Sequence, residues 1–150
     1  MNDTPTRNMY RYVEDAFDHF NRELFDNSLP KPLLTFQREK GCLGIFMYRR
    51  WRNREEGYIN EIALNPMYFV TRNPLELFQT IVHEMCHLWQ FEYGKPSRAG
   101  YHNREWARKM EAVGLMPSDT GAPGGKTTGQ HMSDYPLPGG RFYQACVAFE

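Results

Sequence analysis

No apolar run in this 150-residue chain approaches the roughly 20 residues that a membrane-crossing helix needs. Met1 to Arg11 are polar and hold no apolar signal core, so a soluble, cytoplasmic protein with no membrane partner is expected. Cysteine is scarce. Cys42, Cys86 and Cys146 are odd in number, far apart and without a CxxC pair. That argues against a disulfide framework and against a zinc ribbon, and it leaves three reduced thiols. Net charge is also missing, with 18 basic residues balancing 18 acidic ones. A free-standing nucleic-acid-binding domain is usually basic overall, so only a local basic patch stays open. There is no internal repeat.

What is present suits one globular domain spanning 1–150. Hydrophobic residues make up 41% and aromatics 15%, enough for a core at this length. Met9, Tyr10, Val13, Ala16, Phe17, Phe20, Leu24 and Phe25 recur at helical spacing and predict an N-terminal amphipathic helix ending near Asn27-Ser28. His19 falls on its polar side and is read as solvated. Three short runs follow at 33–36, 43–48 and 58–64. They read as a small, mainly antiparallel sheet, because the connections are short. A second helix begins with Asn73 as cap, Pro74 in the first turn and Glu76 at capping-box spacing, and Gly94 and Pro96 end it. A third runs from about Asn103 to Val113. Residues 117–140 are rich in glycine and proline and read as one long loop without regular structure. Phe142 to Phe149 reads as a final strand or as a segment packed on the core. The fold class is therefore α+β.

The second helix carries His83-Glu84-Met85-Cys86-His87, an HExxH motif. Histidines four residues apart share one helix face, so both imidazoles can reach one zinc ion at about 2.0–2.1 Å. Glu84 points partly aside, free of the metal but able to reach a metal-activated water, which fits it as general base. Catalytic zinc takes a third protein ligand and leaves one position open. The metzincin continuation fails, since its glycine and histidine positions hold Gln90 and Tyr93. His102, just ahead of the third helix, is preferred as third ligand over Glu105 and Glu111. The turn 94–100 can bring it back to the second helix. One Zn2+ per chain is expected, on His83, His87 and His102. Tyr101, His131, Tyr135 and Arg141 are candidates for a further oxyanion donor; for His131 a plain loop position is the preferred reading.

At these residues the sequence resembles the SprT-like family of metalloproteases, which includes Spartan. The likeness covers Thr80 to His87, the spaced His102, and Trp106-Ala107 with Met110 and Val113-Gly114. It extends to Ala16 to Asn21 with Leu24-Phe25 and Leu29-Pro30, to Thr35 to Arg38 with Gly44 to Phe46, and to Glu61 to Pro66. In all it spans roughly residues 8–145. The resemblance implies a zincin-like α+β protease domain, with zinc on His83, His87 and His102 and with Glu84 as base. The family's best-known members cleave proteins crosslinked to DNA and are activated by DNA. Many carry a C-terminal zinc ribbon, which this chain lacks.

Arg49-Arg50-Trp51-Arg52-Asn53-Arg54 places four arginines around a tryptophan between two predicted strands. Arginine pairs with phosphate and an aromatic ring can stack on an unpaired base. DNA contact through Arg49, Arg50, Trp51, Arg52 and Arg54, extended by Arg38 and Lys40, stands beside a solvated hairpin loop partly neutralised by Glu55 and Glu56. The leading functional reading is a zinc endopeptidase acting on a protein or peptide substrate, including DNA-associated proteins. The alternatives are a nucleic-acid-binding module with a non-catalytic zinc site, and a protease toxin directed at a partner cell.

Overall fold

The structure is a computed structural model that describes residues 4–38, 41–55, 57–67 and 73–149. Helix α1, Pro5–Phe25, starts where Thr4 accepts a hydrogen bond from the Arg7 N–H at 3.2 Å, with proline in the first turn. It stops where Asp26 turns into the left-handed region, φ 53°. Its buried stripe of Val13, Ala16, Phe17, Phe20 and Leu24 forms one wall of the core. Each valine, leucine or phenylalanine of the stripe contributes about 1.5–3 kcal/mol on burial.

Strands β1 (Leu33–Phe36), β2 (Gly44–Asn53) and β3 (Gly57–Leu64) form a three-stranded sheet in the order β1-β3-β2. β2 and β3 are the expected antiparallel hairpin, but β1 pairs with β3 in parallel, Leu33 opposite Glu61 and Phe36 opposite Leu64. β3 takes the centre because it is the apolar strand: Ile62, Ala63 and Leu64 are fully buried, whereas the outer half of β2 is exposed. Among the described residues β2, like β1, is an edge of the sheet. It also runs on through Trp51 and Asn53, so most of the arginine-rich segment is strand and not loop.

Helix α2, Pro74–Tyr93, turns Leu77, Phe78, Ile81, Val82, Met85 and Leu88 into the core against α1. Phe20 meets Phe78 edge-on at 5.4 Å between ring centroids. Helix α3 is Arg104–Val113, and Asn103 is its cap.

The remainder of the chain corrects the expectations in part. Residues 117–140 are not wholly irregular. β4 (Leu115–Ser118) and β5 (Ser133–Pro136) form an antiparallel pair with Pro117 opposite Asp134. In a two-stranded ladder both strands are edges, so Pro117 and Pro136 can face outward without forfeiting a bond. Phe142 to Phe149 is helix α4, Arg141–Phe149, so the strand reading fails while the alternative, a segment packed on the core, holds through Phe142, Ala145 and Cys146. Its docking on α1 buries His19, which is 8% exposed and whose Nε2 lies 2.8 Å from the Ala145 carbonyl. The solvated reading of His19 is thereby corrected. Among the described residues, no helix is long and apolar enough to cross a membrane.

Candidate metal centre

α2 places His83 and His87 one turn apart on the side facing away from the α1 core. His102 arrives from the turn before α3. A set of hydrogen bonds holds that turn. Gln90, 1% exposed, donates to Asn103 Oδ1 at 2.7 Å and to Glu105 Oε1 at 2.8 Å, and the Lys95 N–H also donates to Glu105 Oε1 at 2.7 Å. Glu105 is thus spent on the turn and is not a ligand candidate; Glu111 does not join the cluster either. In the sequence Gln90 stands out only as a departure from the metzincin glycine; no local pattern marks it as the residue that ties this turn down.

One donor atom from each of His83, His87 and His102 lies within 4.8 Å of the others. The tautomers follow from the outer partners. His83 Nδ1 donates to Asp134 Oδ2 at 2.9 Å and His102 Nδ1 donates to the Gly129 carbonyl at 3.0 Å. Both Nε2 atoms therefore turn lone pairs inward, and they face each other at 3.2 Å. Two lone pairs that close repel unless a cation sits between them. Nitrogen ligands 2.0–2.1 Å from a tetrahedral ion would be ~3.3 Å apart. A proton can bridge two such atoms; convergence of a third imidazole fits a metal ion. The donor set thus suits zinc. Trp106, fully buried, lies against all three rings, with centroids 4.8, 5.3 and 4.5 Å from those of His83, His87 and His102.

A model of the SprT-like family matches residues 13–128. The chain belongs to the SprT-like family. It is also 44% identical over 59 residues to an "Uncharacterized protein in mucB 3'region" of Salmonella typhimurium, an alignment covering 39% of this chain and 80% of that protein. No solved structure matches. The family is associated with metalloprotease activity, and His83, His87 and His102 could hold a metal here.

In this SprT-like domain the three histidines border a cleft of about 910 Å³, walled by Gly44, Ile45, Phe46 and Tyr48 of β2 on one side and by Gln130 to Asp134 on the other. Glu84 is 6% exposed and opens onto the same cleft. Burial raises its carboxyl above the usual range, opposed by the charge of His83 and a hydrogen bond from the Phe46 backbone. Burial also works to lower His83, but the Asp134 hydrogen bond and the charges of Glu84 and Asp134 outweigh it, so its pKa is raised. Burial and the neighbouring histidines push His87 well below the ordinary value, and burial with His83 lowers His102 to about 4.

The SprT-like pattern gave no sign of Asp134 or of Gly129, which come from the glycine- and proline-rich stretch. Of the four suggested oxyanion donors, His131 alone lines the cleft. Tyr101 lies under the Arg98 guanidinium, and Arg141 reaches the Ala112 and Glu23 carbonyls away from the site.

The arginine-rich hairpin is partly engaged with itself. The Arg49 and Arg52 guanidiniums lie over the Tyr58 ring at 5.6 and 5.5 Å. Trp51 donates its indole N–H to the buried Glu61, yet the residue is 49% exposed. Lys40 and Glu56 lie outside the described residues.

Proposed function

We propose that this protein is a zinc-dependent endopeptidase that hydrolyses peptide bonds in a protein or peptide substrate. His83, His87 and His102 hold one zinc ion per chain, and Glu84 is the general base. The observation that carries this reading is the inward-facing pair of Nε2 lone pairs, with a third imidazole beside them, at the wall of an open cleft. Bound there, zinc would polarise the scissile carbonyl and bring the pKa of an attacking water towards about 7.

The chain's own groups do the rest. Glu84, buried and with its pKa raised, takes the water's proton on its carboxylate and passes it to the leaving amine. The Phe46 backbone hydrogen bond orients that carboxylate. Among the described residues β2 is an edge strand, and it lines the cleft, so an extended substrate can add to it as a further strand.

We infer DNA-associated proteins as the substrate class. Arg49, Arg50, Trp51, Arg52 and Arg54 stand on the far half of the strand that walls the cleft, or in its turn, and are exposed. That arrangement would set phosphate-binding groups beside a peptide being cut.

Glu84→Gln tests the chemistry. It should retain about one zinc per chain and lose cleavage of unfolded protein, assayed with and without single-stranded DNA at low salt. Unchanged cleavage would refute the base. Zinc binding without cleavage by the wild type under any of these conditions would favour a non-catalytic zinc module.

A further inference from the structure

Asp134 is a buried carboxylate, its side chain 7% exposed, in a stretch that sequence composition marks as loop. It lies beyond residue 128, where the family match ends. Its Oδ2 accepts from His83 Nδ1 at 2.9 Å. Its Oδ1 and its main-chain carbonyl both accept from Gln79 Nε2, at 3.1 and 3.2 Å. Gln79 stands one helical turn before His83, so α2 presents two donors to a single aspartate. The β4–β5 ladder fixes the other side, pairing Asp134 with Pro117.

We propose that Asp134 is a positioning residue of the metal centre: it holds His83 in the tautomer and orientation that turn Nε2 inward, and its buried negative charge offsets that of the ion. The proposal rests on the metal-centre reading above. Asp134 cannot itself be a ligand through these contacts, because it touches the nitrogen of His83 that faces away from the cluster. A carboxylate behind a ligating imidazole raises the basicity of the ring, and losing such a partner typically weakens metal binding about 10–100-fold.

The test uses the full chain. Zinc Kd is measured by chelator competition for wild type, Asp134→Ala, Asp134→Asn and Gln79→Ala, with folding followed by circular dichroism and cobalt-substituted visible spectra recorded in parallel. Asp134→Ala is expected to weaken zinc binding about 10–100-fold. Asp134→Asn, which keeps an acceptor but loses the charge, should fall between it and wild type. Gln79→Ala keeps the acceptor on His83 and should change the Kd little. The cobalt spectra should keep the same tetrahedral intensity throughout.

Wild-type affinity in a folded Asp134→Asn and Asp134→Ala would overturn the role alone. If the alanine variant does not fold, the asparagine variant decides. A cobalt spectrum that loses a ligand in the Asp134 variants would make Asp134 a direct ligand and also overturn it. A folded wild type that binds no zinc would overturn the metal centre and the role together.

Discussion

Replacing Gly44 by alanine would put a methyl group 2.6 Å from Thr80 Cγ2 and 3.3 Å from both Cγ and Oε2 of Glu84. Carbon atoms pack at about 3.5–4.0 Å, so roughly 1 Å has to be found between β2 and α2. Backbone strain is not the issue, since Gly44 lacks a positive φ. The cost is overpacking, about 1–3 kcal/mol. The strain falls on the turn of α2 that carries Glu84, the base on the reading proposed above, and a misplacement of about 1 Å at a reacting group can cost about 100-fold in rate. Gly44→Ala should therefore lower unfolding stability by about 1–3 kcal/mol in urea and reduce kcat by up to about 100-fold, with zinc content unchanged. Adding Thr80→Ser deletes the atom in closest contact and should recover most of the stability. A Gly44→Ala protein as stable and active as wild type, or no recovery in the double variant, would show that β2 and α2 do not meet as described.

Two further outcomes follow from burial and charge. With a thiol reagent on the native protein, Cys42 should be alkylated first; Cys86 and Cys146 should react only on unfolding, since both are buried and burial raises the Cys86 thiol well above its ordinary pKa. Mass spectrometry of the labelled peptides checks this, and early labelling of Cys86 would contradict the packing of α2. In the metal-free protein, His83 should take up its proton first on acidification, above the ordinary imidazole value, and His102 only near pH 4. NMR of the imidazole nitrogens reads the order directly, and a common midpoint for the two rings would refute the Asp134 contact as the source of the difference.

The second helix was legible because its signals are local: a cap at Asn73, a proline in the first turn, an apolar face, and HExxH within it. His102 was legible from spacing and family pattern, although the Gln90 and Glu105 bonds that hold its turn were not. Parallel pairing of β1 with β3 was hidden because the order of strands depends on which is most apolar on both faces, not on which connection is shortest. The β4–β5 ladder was masked by Pro117 and Pro136, which weigh against strands everywhere except at edges. Asp134 belongs to no motif and acquires its role only from that ladder. The last helix had a readable signal, since Phe142, Ala145, Cys146 and Phe149 fall at helical spacing. The burial of His19 depends on where that helix docks, which no local signal gives.

The groups that define the centre are spread along the chain, from Gln79 and His83 to Gly129 and Asp134. A chain growing from its N-terminus completes the HExxH helix long before it makes the acceptors that orient two of the three imidazoles. On the reading proposed here, a nascent or prematurely terminated chain that stops short of β5 carries the recognisable motif but not the organised site. Destructive activity would be acquired late in synthesis, which shields the crowded surroundings of a translating ribosome from a half-made protease.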